Sequence, residues 1–220
     1  MLLNNKFAIG CLVQFYEIDI IEEYINSVKQ SLKNIQNKEN VIVDFCLNIN
    51  EGLEQLDKDK IEMEDIVSKF NTFLLDFNPQ YVETSYNKDE IYTIADYRRE
   101  FNEKYCDEVD VLMWGESDAL IPTQTWEILD NLHTAVIEDT PKYVGFFGTC
   151  KMWDDTWKIV EHPEFTDKPF TEMDTENWWS LRYNMTQEEM DKINDKVEDL
   201  DIQTTNNLKF NGCGLVISSE

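Results

Sequence analysis

The feature that most constrains this chain is an alternation of short apolar runs with longer amphipathic runs. Strand, helix, strand, helix is typical of a parallel sheet covered by helices on both faces. We therefore predict an α/β fold with a mostly parallel, Rossmann-like sheet. The predicted strands cover residues 7–14, 41–49, 81–86 and 110–114, and the predicted helices cover residues 19–35, 65–77, 93–105 and 122–137, the last opened by Pro122.

The remaining third of the chain has a weaker pattern. We predict a strand or hairpin arm, a short partner strand, a loop rich in aromatic residues, an acidic helix and a final strand. These elements cover residues 142–153, 157–161, 167–183, 187–200 and 215–218.

Charge restricts the possible partners. The 45 acidic and 19 basic residues give a formal net charge of -26. We therefore expect no direct binding to a nucleic-acid backbone, which requires a basic surface, or to an anionic membrane. A non-catalytic acidic interaction protein, such as a nucleic-acid mimic, stays open as an alternative. A mimic should present continuous acidic faces, whereas the acids here are scattered along the chain.

The five cysteines are an odd number and include no CxxC pair. Cys11 and Cys46 lie in apolar runs, which favours buried free thiols and a reducing compartment, so we predict a cytoplasmic protein. The apolar stretch before Cys11 is too short for a signal peptide, and we expect no membrane span.

The strongest candidate site is the sequence VDVLMWGESDALIP, residues 109–122. An apolar strand ends at Trp114, and Glu116 and Asp118 follow in a tight turn, where their carboxylates can face the same space. Carboxylate oxygens suit Mg²⁺ or Mn²⁺. With 45 acidic residues in 220, chance alone supplies about nine acid-x-acid triplets, so the weight lies in the strand before this turn and the helix after it. The alternative is a pair of solvated acids that cap the turn.

The order and spacing of these segments resemble the nucleotide-binding part of GT-A type glycosyltransferases, nearest to the inverting family 2. The resemblance covers roughly residues 7–160 and is carried by FAIGCLVQF, DIIEEYINSVKQSL, VIVDFCLNIN and IADYRREFNEKYCDEVDVLMWGESDALIP. It implies a GT-A-like fold and metal-assisted transfer of a sugar from a nucleoside diphosphate donor to an unknown acceptor. It also implies a nucleotide-sugar-binding half, residues 1–140, and an acceptor-side half, residues 141–220. An inactive glycosyltransferase-like binding module stays open as an alternative, and a nucleotidyltransferase is a third possibility.

The resemblance assigns roles to individual residues. The metal ligands would be Glu116 and Asp118, although the family usually has aspartate at the first position. The predicted donor contacts are Gln14, Tyr16, Asn48, Asn50, Arg98, Arg99, Glu116 and Ser117. Asn48 and Asn50 stand where the family often has paired aspartates. The two arginines would contact the diphosphate, or would instead pair with nearby acids such as Asp96. No glycine-rich phosphate loop is present, so a metal and arginines would have to hold the diphosphate.

The acceptor end is predicted from aromatic and acidic residues. Trp153, Trp178 and Trp179 would form a sugar-stacking platform, or would fill a small core. Asp154 and Asp155 would supply the catalytic base of an inverting reaction, or would close a hairpin turn. The C-terminal NGCGLVISS resembles the strand that precedes the catalytic acid of the family. Glu220 would then lie at the edge of that site, or the chain is a fragment that ends before it.

Overall fold

The computed structural model describes residues 1–49, 63–75, 77, 82–87, 92–146, 149–151, 182–183 and 215–219. This described part contains nine strands and four α-helices. The strands are β1 (Phe7–Gln14), β2 (Val41–Asn48), β3 (Val82–Asn87), β4 (Val111–Trp114), β5 (Ala119–Leu120), β6 (Val144–Phe146), β7 (Thr149–Lys151), β8 (Arg182–Tyr183) and β9 (Leu215–Ser218). The helices are α1 (Ile21–Leu32), α2 (Met63–Leu74), α3 (Ile94–Tyr105) and α4 (Thr125–Val136).

Six strands form the main sheet in the order β3-β2-β1-β4-β9-β6, and β5, β7 and β8 form a small second sheet. Strands β1 to β4 are mutually parallel, whereas β9 is antiparallel to both of its neighbours. The parallel pairing of β1 with β2 ends at Gln14 and Asn48, and that of β1 with β4 ends at Gly10 and Trp114. Strand β1 therefore extends past the end of β4 by the segment from Cys11 to Gln14.

Strand β1 is buried on both sides, which explains its unbroken apolar sequence. Alternate residues, such as Ile9 and Val13, enter a core formed with helices α1, α2 and α4. The residues between them, such as Ala8 and Leu12, enter a second core against α3. The sheet thus has helices on both faces, and the predicted α/β class with a mostly parallel Rossmann-like sheet is confirmed.

Helix α3 is held on the sheet by a buried carboxylate in the middle of β2. Asp44 accepts hydrogen bonds from the hydroxyl groups of Tyr97, at 2.9 Å, and Tyr105, at 2.6 Å, while the Lys104 ammonium lies 3.1 Å from Asp44 Oδ2. A buried carboxylate is stable only when its oxygens are satisfied in this way. The contacts fix the position of α3, which carries Arg98.

Most predicted elements are found with boundaries shifted by a few residues. Strand β1 agrees with its prediction in full, and the helix predicted over 65–77 spans Met63–Leu74. One boundary was wrong: Pro122 lies before α4 rather than in its first turn, because its carbonyl accepts from Thr125 and α4 begins there. The elements predicted over 157–161 and 187–200 lie outside the described residues. The loop predicted over 167–183 was wrong at its end, where Arg182–Tyr183 pair with β7 as strand β8.

Two further predictions concern the cysteines and membrane-spanning helices. Cys11 and Cys46 are buried, as expected, and Cys106 is half-buried; within the described residues these three cysteines form no disulfide. None of the helices in the described residues has the length and apolar character needed to cross a bilayer.

Candidate functional site

The order of the strands fixes where a ligand crevice should form. After β1 the chain adds β2 and β3 on one side and then returns to place β4 on the other side of β1. In open α/β sheets, ligands bind outside the carboxyl ends of the strands at such a switch point. The crevice is bordered here by the segments that follow Gln14 of β1 and Trp114 of β4.

The segment after β4 begins beside β1 and then forms a tight turn. The Gly115 amide donates to the Gly10 carbonyl at 2.8 Å, and the turn closes where the Ala119 amide donates to the Glu116 carbonyl at 3.0 Å. Within this turn Asp118 is buried and Glu116 is half-buried. Gly115 is required by space, because a Cβ there would overlap the hydroxyl group of Tyr24.

Three carboxylates from two different segments act on the buried Cys11 thiol. Burial, followed by the charges of Glu17, Glu116 and Asp118, raises the pKa of the Cys11 thiol well above its ordinary value. Burial, followed by Glu17 and Asp118, also raises the pKa of Tyr16. The turn after β4 and the short 3₁₀ turn after β1 (Phe15–Glu17) therefore both carry acids whose charges act at the end of β1.

Arg98 of α3 reaches the same crevice from the other side of the sheet. Its Nη2 lies 3.2 Å from Glu116 Oε1, and its guanidinium carbon lies 4.7 Å from the centre of the Trp114 ring. The Arg98 side chain is 18% exposed and that of Glu116 is 25% exposed. The guanidinium is thus held between a candidate metal ligand and an aromatic face.

The structure separates the two arginines that the sequence could not distinguish. Arg99 is largely exposed and lies 3.3 Å from Asp96, one turn earlier on α3. That contact matches the ion-pair alternative for Arg99, whereas Arg98 is directed to Glu116. Ser117 is buried within the turn between the two acids.

The donor-contact residues at the ends of β1 and β2 have different surroundings. Asn48 is fully buried, and its Nδ2 donates to Gln14 Oε1 at 3.1 Å and to the Tyr92 carbonyl at 3.3 Å. Asn48 therefore orients Gln14, and its role as a donor contact stays a prediction. Tyr16 is 51% exposed, and its ring makes an edge contact with that of Phe15 at 5.4 Å between centroids.

Some predicted site residues lie outside the described part of the chain. They are Asn50, Trp153, Asp154, Asp155, Trp178 and Trp179. Their assigned roles stay predictions.

Two contributors to the crevice were missed from the sequence. Glu17 lies three residues after the end of β1, so the rule that functional residues follow strand ends should have selected it. Asn102, whose Oδ1 accepts from the Trp114 indole N–H at 2.9 Å, gives no sequence signal, because its role depends on packing between α3 and β4.

The carboxylate oxygens of the crevice suit a hard metal ion that takes only some of its ligands from the protein. Among the described residues, no group of three or more His, Cys, Asp or Glu side chains forms a metal cage. Glu116 and Asp118 together offer oxygen ligands. Mg²⁺ is commonly bound by one or two carboxylates with the rest of its shell supplied by water and substrate phosphates.

Comparison with known proteins gives a distant structural likeness. No protein family model and no curated protein sequence matches the chain. Among solved structures, it resembles S. aureus TarS 1–349 in complex with UDP-GlcNAc, at 16% identity and a TM-score of 0.43 over 71% of this chain and 37% of that chain. A second TarS 1–349 structure gives 17% identity and a TM-score of 0.42 over 73% and 39% of the two chains. The chain thus spans less than two fifths of these TarS structures, and the likeness does not identify its function.

Proposed function

We propose that this chain is a glycosyltransferase that binds a nucleoside diphosphate sugar through a divalent metal ion, Mn²⁺ or Mg²⁺, and transfers the sugar to an acceptor. One observation carries the proposal: Glu116 and Asp118 follow β4 directly, at the switch point of a parallel sheet. This is the position where open α/β sheets bind nucleotides.

The two acids suit the metal-binding part of this function. Glu116 and Asp118 would hold the ion, with Glu17 close enough to influence the charge of the site. Two acids in one turn repel each other, and a divalent cation would offset that repulsion. When bound, the metal would stabilise the negative charge on the leaving diphosphate.

Arg98 suits a second contact with the diphosphate. Its guanidinium already lies beside Glu116, and a planar fork of donors matches phosphate oxygens well. A half-buried arginine charge interacts more strongly with an anion than an exposed one does. We expect Arg98 to bind the diphosphate while staying near Glu116.

Tyr16 and Gln14 suit the nucleoside end of the donor. The exposed ring of Tyr16 offers a face for stacking, and Gln14 is oriented by its hydrogen bond from Asn48. The acceptor platform of Trp153, Trp178 and Trp179 and the base, Asp154 or Asp155, complete the proposal, with inversion at the transferred carbon.

The test is thermal unfolding against a panel of nucleoside diphosphates and their sugar conjugates, with and without Mn²⁺. A ligand at 100 times its Kd stabilises the folded state by about 2.7 kcal/mol, a rise in Tm of roughly 5–10 °C. We expect a metal-dependent rise for one nucleotide, lost in Asp118→Asn and kept in the control Asp139→Asn, which changes an exposed acid beyond α4.

Two outcomes would contradict the proposal. No rise with any nucleotide would exclude the donor site, and an equal rise in Asp118→Asn would exclude the metal assignment. A positive result would be followed by incubation of the recognised sugar nucleotide with the protein, in which release of the free nucleoside diphosphate marks transfer or hydrolysis of the sugar.

A further inference from the structure

The side chains of α3 and β4 form a connected chain that ends at the proposed metal ligand. Asn102 accepts from the Trp114 indole N–H at 2.9 Å, the Trp114 ring lies under the Arg98 guanidinium, and Arg98 contacts Glu116 at 3.2 Å. Arg98 and Asn102 are four residues apart on α3 and so lie on the same helix face. One face of α3 therefore fixes the edge of the indole and the cation above it.

The Trp114 ring offsets part of the free-energy cost of burying the Arg98 guanidinium. The Arg98 side chain is mostly buried, and its Nε is enclosed without a hydrogen-bond partner in the structure as described. A buried cation is costly unless other groups compensate it. Glu116 supplies an opposite charge, and the aromatic face supplies a cation–π contact that strengthens where water is excluded.

The indole hydrogen bond also fixes the plane of the ring. Trp114 is the last residue of β4, and the turn with Glu116 begins immediately after it, so nothing in β4 beyond this point restrains the ring. The bond to Asn102 ties the ring edge to α3, which is anchored by Asp44. The guanidinium thus rests on a platform attached to both α3 and β4.

We propose that Trp114 and Asn102 are positioning residues that hold Arg98 against Glu116 and so set the affinity of the crevice for a metal-bound diphosphate. The part concerning the diphosphate rests on the proposed function, whereas the hold on Arg98 does not. A purely structural role would lower stability without releasing the guanidinium or changing anion affinity.

The first test needs no ligand. The chain has three arginines, 98, 99 and 182, so the ¹⁵N–¹H spectrum of arginine side chains contains few signals, and Arg98→Lys assigns the one of interest. In the native chain the Arg98 Nε–H signal should be displaced by the ring current of Trp114 and exchange slowly. We expect both properties to be lost in Trp114→Leu and partly kept in Trp114→Phe, which retains an aromatic face.

Asn102→Ala is the second variant, and it tests the same inference if a Trp114 variant fails to fold. It keeps the ring but frees its edge, so the Arg98 signal should broaden or shift. The matched control is Asn131→Ala, an exposed asparagine on α4, which should leave the signal unchanged. An Arg98 signal that is the same in the native chain, Trp114→Leu and Asn102→Ala would overturn the inference.

The second test measures binding of inorganic pyrophosphate in the presence of Mn²⁺ by calorimetry, since this probe contains the diphosphate and no base or sugar. Loss of a desolvated cation–π contact should weaken binding roughly tenfold in Trp114→Leu and less in Trp114→Phe. Unchanged affinity in Trp114→Leu would overturn the link to the diphosphate. A native chain that binds no pyrophosphate would overturn the proposed function, while the spectrum would still decide whether Trp114 holds Arg98.

Discussion

The hydroxyl group of Tyr24 in α1 lies directly over Gly115, the residue at which the chain leaves β4 and enters the acidic turn. A Cβ at position 115 would overlap the Tyr24 hydroxyl and come within 3.1 Å of its ring carbon. Tyr24 is fully buried between α1 and the sheet, so it has no space into which it could move.

Gly115→Ala is therefore expected to destabilise the fold by about 1–3 kcal/mol, the usual cost of overpacking a filled core. Urea unfolding checks this value. Removing the hydroxyl in the double variant Tyr24→Phe/Gly115→Ala should recover part of the loss. If the alanine cost the same in both backgrounds, the contact with Tyr24 would not be its cause.

Asp44 should be one of the most sensitive polar positions in the chain. Asp44→Asn exchanges a carboxylate that accepts from Tyr97 and Tyr105 for an amide with one acceptor oxygen, so we expect a loss of about 1–3 kcal/mol in the free energy of unfolding. Tyr105→Phe should cost less, since the carboxylate keeps its other partners. A double-mutant cycle with Asp44→Asn gives the coupling energy, and a coupling near zero would show that the hydroxyl and carboxylate do not interact.

Asp130 of α4 anchors the start of the chain. It is buried, and its carboxylate accepts from the backbone amides of Asn4, at 3.0 Å, and Asn5, at 2.9 Å. Asp130→Ala should destabilise the fold by about 1–3 kcal/mol, because those donors would lose their partner. It should also speed hydrogen exchange at both amides. Glu127→Ala, an exposed acid on α4, is the control, and equal exchange in the two variants would count against the anchor.

Stability should fall at alkaline pH. Burial is the main cause that raises the pKa values of Cys11, Tyr24 and Tyr97 in the folded chain, from ordinary values of 9.0 for the thiol and 10.0 for the phenols. Tyr143 is raised to about 12, chiefly by burial. As pH rises past the ordinary values, the unfolded chain loses these protons first, so the stabilisation is complete below pH 9 and is lost as pH rises toward the folded pKa values.

Urea unfolding between pH 8 and 11 measures this decline. Each such group contributes a slope of up to about 1.4 kcal/mol per pH unit. Tyr24→Phe removes one of them and should flatten the decline above pH 10. A native chain with constant stability from pH 8 to 11 would show that these groups titrate alike in the folded and unfolded states.

Asp118→Asn should act on binding more than on stability. It removes the charge of a buried side chain and keeps its shape, so the free energy of unfolding of the ligand-free protein should change by less than about 1 kcal/mol. The same change should abolish the metal-dependent rise in Tm. A loss of both stability and binding would indicate that Asp118 is mainly a structural residue.

The sequence by itself determined the elements and their class. The sequence of β1 is an unbroken apolar run because both faces of the sheet must be buried. The apolar residues of α1 recur at helical spacing. Both patterns are local, so they can be read from the sequence. The turn with Glu116 and Asp118 could be predicted for the same reason, since strand ends can be located from the sequence. Glu17 follows the same rule.

Only the tertiary structure decided which side chains meet. It directed Arg98 to Glu116 and left Arg99 with Asp96, although the two arginines are adjacent in the sequence, because successive residues of a helix point about 100° apart. It also buried Asn48 behind Gln14 and placed Asn102 against Trp114. These contacts depend on how α3 packs across the sheet, and that packing is fixed by residues as distant as Asp44 and Tyr105, whose pairing no local pattern encodes.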